Sequence, residues 1–132
     1  MSQHLLKLRS CVSSICELEG FINDISQRYE IGNDKYPDIL ISLTEAVSNA
    51  IIHGNKKDLA KFVHISMSLA AQQLVFTVTD EGKGFNPSTV PDPTAPENIQ
   101  CCGGRGVFLI KELADEVHYH NNGSTVKISF RL

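Results

Sequence analysis

In the segment Leu74-Val75-Phe76-Thr77-Val78-Thr79-Asp80-Glu81-Gly82-Lys83-Gly84-Phe85, six alternating residues run into an acid and two glycines. Side chains alternate across a strand, so Leu74, Phe76 and Val78 line one face, with Val75, Thr77 and Thr79 on the other. Asp80 continues the register of the first set, which aims its carboxylate at the buried face just where the strand ends. Upstream, Val63, Ile65, Met67 and Leu69 alternate with His64, Ser66 and Ser68 as a second half-buried strand, and Ala71-Gln72-Gln73 separates the two. Downstream, Val117 and Tyr119 lead into Asn122-Gly123, a two-residue hairpin signal, and Val126, Ile128, Phe130 and Leu132 alternate beyond it. His4 to Leu8 reads as one more short strand.

Helical spacing occupies the rest. Ile15, Leu18, Ile22, Ile25 and Tyr29 form one apolar stripe, with Ser14 and Glu17 in capping-box positions ahead of it and Gly32-Asn33 as its stop. Pro37 can open a second helix, because the first turn needs no donor from it. Leu40, Leu43, Val47 and Ala50 give that helix its stripe, and Gly54-Asn55 ends it. A third helix starts at Gly103-Gly104-Arg105-Gly106, with Val107, Ile110, Leu113, Ala114 and Val117 inward. The expected class is α+β, a two-layer α/β sandwich with an antiparallel or mixed sheet and three helices on one face.

A chain of 132 residues with 12 Lys+Arg against 15 Asp+Glu suits one domain, residues 1–132, with its own core. The net charge of −3 offers no cationic surplus for nucleic acid phosphates. No apolar run is long enough for a membrane helix or a signal peptide, so a cytoplasmic protein is expected. Cys11, Cys16, Cys101 and Cys102 lack metal-site spacing and read as free thiols. Cys101-Cys102, close to the third helix, leaves a redox switch as a minor idea. Residues 86–102 carry Pro87, Pro91, Pro93 and Pro96 without periodicity, a length and composition typical of a functional lid or a disordered connection.

Three clusters carry possible chemistry. Glu45, Asn49 and His53 follow one another at four-residue intervals and share a helix face. Such a row serves as a solvated helix edge, or as a proton-accepting carboxylate beside an amide oxygen able to bind a hard cation. Asp80 begins a Gly-rich turn, or else its buried carboxylate awaits donors such as an exocyclic amine, with Gly82 and Gly84 leaving room for a flat group. Gly103-Gly104-Arg105-Gly106 supplies free backbone N–H groups and a cation for an anion, or only the turns a loop needs.

Taken in order, Glu45-Ala46-Val47-Ser48-Asn49-Ala50-Ile51-Ile52-His53-Gly54-Asn55, Asp80-x-Gly82-x-Gly84-Phe85, a lid and Gly-Gly-x-Gly on a helix resemble the GHKL ATPase superfamily, built on the Bergerat ATP-binding fold. Pro91 to Ile99, Gly104-Arg105-Gly106-Val107-Phe108-Leu109-Ile110-Lys111 and Ala114-Asp115-Glu116-Val117 resemble its branch of bacterial anti-sigma factor serine/threonine kinases. The resemblance implies ATP and Mg²⁺ as cofactors, Glu45 as general base and Asn49 as the metal ligand. It implies a nucleotide-binding set of Asn49, His53, Asp80, Gly82, Gly84, Phe85, Gly103, Gly104, Arg105, Gly106 and Val107, with residues 86–102 as the ATP lid. In that set Asp80 takes the adenine amine and the Gly-rich helix start lines the triphosphate; His53 and Asn55 match the pattern without an assigned role. The implied partners are a STAS-type anti-anti-sigma factor that is phosphorylated and a sigma factor that is sequestered. A homodimer is implied as well, with no direct nucleic acid contact. The alternative is a nucleotide-binding switch that changes partners without transferring phosphate.

Overall fold

The computed structural model describes residues 2–82, 110–120 and 124–131. Five strands form one sheet: β1 (Ser2–Arg9), β2 (Phe62–Ala70), β3 (Gln73–Thr79), β4 (Glu116–His120) and β5 (Thr125–Arg131). The strand order is β1-β2-β3-β5-β4, and every neighbouring pair is antiparallel. The open choice between an antiparallel and a mixed sheet is thereby settled. Two helices, α1 (Ile15–Arg28) and α2 (Tyr36–Asn49), connect β1 to β2. Of the expected third helix, residues 110–113 are helical, and its Gly-rich start lies outside the described residues, as does Asn122-Gly123.

Period-two burial builds the sheet layer. Val63, Ile65 and Met67 of β2, Leu74, Phe76 and Val78 of β3, and Val126, Ile128 and Phe130 of β5 are all buried on the same face. The registers Ile65↔Val78 and Val78↔Val126 set these side chains side by side across three strands. Phe76 and Phe130 meet edge to face at 6.1 Å, the favoured geometry for paired quadrupoles. The helices close over this face with Leu18, Ile22 and Ile25 from α1 and Ile39, Leu43, Ala46 and Val47 from α2. In α2 the stripe is rotated slightly from the expected one: Ile39 is core and Leu40 only half-buried.

Several ends differ from the sequence reading. Val12–Ser14 form a 3₁₀ turn ahead of α1, so Ser14 already has helical dihedrals (φ −65°, ψ −15°) and makes no side-chain cap. A capping box needs an extended residue there, and Cys11 (φ −138°, ψ 144°) holds that conformation instead. Helix α1 stops at Arg28, before Gly32-Asn33, and Glu30 takes the left-handed turn at φ 53°. After α2, the left-handed residues are Lys56 and Lys57, at φ 53° and 59°, not Gly54 or Asn55. The β2–β3 turn places Ala71 and Gln72 at φ 52° and 61°, the paired positive φ of a tight primed hairpin.

Among the described residues no helix is long and apolar enough to cross a membrane. Ser42, on the buried side of α2, is fully buried, and its hydroxyl has no hydrogen-bond partner among the described residues. An unsatisfied buried hydroxyl costs about 1–3 kcal/mol. Ser42→Ala is therefore expected to hold or raise stability by about 1 kcal/mol in urea unfolding. A loss of that size would show that the hydroxyl has a partner in solution.

Candidate functional site

The site forms where α2 ends against the end of β3. Asn49 is the last residue of α2, and the chain continues without a break into a π-helical turn, Ala50–Gly54. The turn is closed by Asn55 N–H donating to Ala50 O at 2.7 Å, a five-residue step. Inserted π turns of this kind recur at functional sites, because they re-aim side chains without ending the helix. Here the turn breaks the four-residue row. Asn49 is buried and Glu45, one turn earlier, is half-buried, whereas His53 is exposed. Asn49 faces a cleft lined also by Ala46, Ala50, Val78, Asp80 and Ile110. Its amide makes no hydrogen bond among the described residues.

Asp80 lies across that cleft and is 7% exposed, as strand register predicts. Its backbone N–H donates to Ser124 O at 2.9 Å, which ties the end of β3 to the start of β5. Its Oδ1 accepts from Gly82 N–H at 2.8 Å, a local turn. Burial pushes the Asp80 carboxyl above its ordinary value, and the Gly82 N–H and the Lys61 charge only partly offset that. The carboxylate rests directly on Gly54: a methyl group added there would collide with it. A methyl group added at Gly82 would strike the carbonyl of Gly54. The two glycines therefore let the helix end and the strand end touch backbone to backbone.

Asn55 fastens this junction. Its Nδ2 donates to Ser10 Oγ at 2.8 Å and to Phe62 O at 3.0 Å, and its Oδ1 accepts from Glu81 N–H at 2.7 Å. One fully buried amide thus joins the ends of β1, the π turn, the start of β2 and the end of β3. Ser10 Oγ in turn donates to Lys61 O at 2.6 Å. On the outer side, Glu81 Oε2 accepts from Phe62 N–H and pairs with His64 Nε2, both at 3.0 Å. The His64 hydrogen bond, foremost, holds the Glu81 carboxyl below its ordinary range.

Of the expected site residues, the structure brings Asn49, Asp80 and Gly82 together, with Glu45 one helical turn away and His53 turned out. Gly84, Phe85, Gly103, Gly104, Arg105, Gly106 and Val107 and the segment 86–102 lie outside the described residues. Sequence reasoning treated Gly54 and Asn55 as a helix stop and, through the family pattern, gave Asn55 a match without a role. The hint available was an amide at a buried helix end, where only long-range partners could satisfy it.

Asp80 and Asn55 should respond in opposite ways to loss of their polar groups. Asn55→Ala strands Phe62 O and Glu81 N–H, and is expected to cost about 2–3 kcal/mol. Asp80→Asn keeps an acceptor for Gly82 N–H and removes a desolvated charge, so stability at pH 7 should equal or exceed wild type. The sign follows from the raised carboxyl: its contribution is complete below the ordinary value of 3.8 and lost as pH rises through the folded value. The advantage of the variant should therefore vanish as pH falls through that window. Thermal unfolding of both variants from pH 3 to 7, taken about one unit at a time, checks this. A destabilised Asp80→Asn at pH 7 would contradict it.

Comparison with known proteins extends beyond the site. The profile of the histidine kinase-like ATPase domain matches residues 11–130. An anti-sigma F factor from Anoxybacillus flavithermus is 33% identical over 102 residues, covering 72% of this chain and 68% of that protein. A serine-protein kinase RsbW from Staphylococcus aureus is 32% identical over 104 residues, covering 73% of this chain and 65% of that protein. The chain thus spans about two thirds of the length of these relatives. A crystal structure of the RsbU and RsbW domains of a Mycobacterium tuberculosis protein superposes on all of this chain and on 32% of that one. The TM-score is 0.72 at 14% identity, a likeness of fold. With the antiparallel sheet, the helical layer and a match over nearly its whole length, the chain belongs to the histidine kinase-like ATPase domain family, the superfamily its motifs resemble.

Proposed function

We propose that this chain is an ATP-dependent serine/threonine protein kinase that acts as an anti-sigma regulatory factor. Membership of an ATPase domain family implies ATP use. The names of the relatives support an anti-sigma kinase role. The observation that carries the reading is the pairing of Asn49 and Asp80 across one cleft. In this reading Asp80 accepts the adenine amine, a donor that repays the burial of its carboxylate. Gly82, with Gly84 and Phe85, shapes the base pocket. Gly103, Gly104, Arg105, Gly106 and Val107 line the phosphates, and residues 86–102 close over them as a lid of the single domain 1–132. His53, exposed beyond the π turn, stays in the nucleotide-binding set of this reading without an assigned role.

Mg²⁺ fits the donors that are present. Among the described residues no group of three or more His, Cys, Asp or Glu could hold a metal. In the cleft, the amide oxygen of Asn49 makes no hydrogen bond among the described residues and is a suitable donor. Magnesium bound through one or two protein oxygens and substrate phosphates matches such a site. It would supply charge neutralisation at the transferring phosphate. In this reading Glu45, one helical turn before Asn49 and half-buried, orients and deprotonates the acceptor hydroxyl. The acceptor in this reading is a serine or threonine of a STAS-type anti-anti-sigma partner. A sigma factor is the protein sequestered, and the kinase works in the cytoplasm as a homodimer.

Labelled ATP mixed with wild type and a STAS-domain partner should label that partner. Glu45→Ala should bind nucleotide nearly as wild type while transferring phosphate at least about 100-fold more slowly. Unchanged transfer in the variant would remove Glu45 as the base. A partner that stays unlabelled with wild type would favour the non-catalytic switch.

A further inference from the structure

The sheet has a second face, turned away from α1, α2 and the Asn49–Asp80 cleft. The registers set Lys7 beside His64, and Leu5, Ser66, Thr77, Lys127 and His118 in one row across all five strands. Lys7, His64, Lys127, His118 and His120 are exposed, and Leu5 is 74% exposed. Most other positions on this face near its centre are serines and threonines, with no carboxylate among them. The carboxylates sit at the margins: Glu81 is held by His64 and Phe62 N–H, and Glu116 lies on the outermost strand beside His118 at 3.8 Å. A shallow groove runs between Leu5, Lys7, His64 and Thr77. On a chain of net charge −3, a cationic and hydroxyl-rich face is a local reversal of sign.

We propose that this open face is a docking surface for an acidic segment of a partner protein, with Lys7 and Lys127 as fixed contacts and Leu5 as its apolar anchor. Charge complementarity selects the occupant. Three strand spacings and a two-residue offset along the strands separate Lys7 from Lys127, roughly 16 Å, which matches carboxylates about five residues apart on an extended segment. The four permanent cations on this face among the described residues, Lys7, Arg9, Lys127 and Arg131, are too few for a duplex, since nucleic acid binders of appreciable affinity neutralise about 6–10 phosphates. One exposed leucine is too little for a lipid surface, which needs a broad apolar face. A second copy docked face to face would bring lysines against lysines. The proposal does not rest on the nucleotide reading, because the cleft lies on the other side of the sheet.

The test uses the full chain and a short labelled peptide of glutamates around one leucine, followed by fluorescence anisotropy. Lys7→Glu combined with Lys127→Glu should weaken binding at least about tenfold, and raising salt to about 0.5 M should do the same to wild type. Lys7→Gln alone should give an intermediate loss. Arg28→Glu makes the charge change of one such lysine substitution on the helical layer, and should leave peptide binding unchanged. Circular dichroism and thermal unfolding of each variant should equal wild type, which separates a lost surface from a lost fold. Three outcomes would overturn the proposal. One is peptide binding indifferent to both lysines. Another is tighter binding of duplex DNA or anionic vesicles through those same residues. The third is a change from dimer to monomer in the double variant on sedimentation, which would make the face a self-interface.

Discussion

The backbone contact between Gly54 and Gly82, with the Asp80 carboxylate lying on Gly54, sets the distance between the helical layer and the sheet at one point. Everything in the candidate site depends on that approach. Asn49 sits one π turn before it and Asp80 two residues ahead of Gly82, so each is carried to the cleft by the same junction. A side chain at either glycine would wedge the two layers apart and move both polar groups. Asn55 makes the junction rigid by spending its whole amide on three different segments. A satisfied buried amide of this kind specifies one arrangement of the backbone, because any other leaves several groups unpaired.

Two polar groups in the cleft contrast with that clamp. Asn55 is saturated, whereas the Asn49 amide makes no hydrogen bond among the described residues, and Asp80 is held at an electrostatic cost. A fold optimised for stability alone would put apolar groups in both places. The arrangement makes sense if a ligand supplies what the protein withholds: a donor for the carboxylate and a hard cation for the amide oxygen. Strain or cost retained beside a rigid support is a common mark of a binding site.

The sheet was largely legible in the sequence because burial on one face imposes a period of two; β2 and β3 obey it at their buried positions, and β5 departs from it only at Ser129, which is buried on the opposite face. The same register argument placed Asp80 correctly, one step past the last regular strand residue. Helix ends were less legible. Ser14 and Glu17 have the spacing of a capping box, but the 3₁₀ turn at Val12–Ser14 makes Ser14 helical, and a helical residue cannot cap. The row Glu45, Asn49, His53 assumed an unbroken α-helix, and the π turn removed His53 from it. The role of Asn55 depends on Ser10 and Glu81, 45 and 26 residues away, and local pattern carries no information about such partners.

Membership of the ATPase domain family gives the fold and the nucleotide class, and the junction at Asp80 gives a reason why adenine should be chosen. The most direct test of that claim is the calorimetric affinity of the unmodified protein for ADP against inosine diphosphate, which carries a carbonyl in place of the adenine amine. A site built around a buried carboxylate rejects an acceptor set opposite it, so ADP should bind at least about 100-fold more tightly. Equal affinities for the two nucleotides would contradict the account, because Asp80 would then not be reading the base.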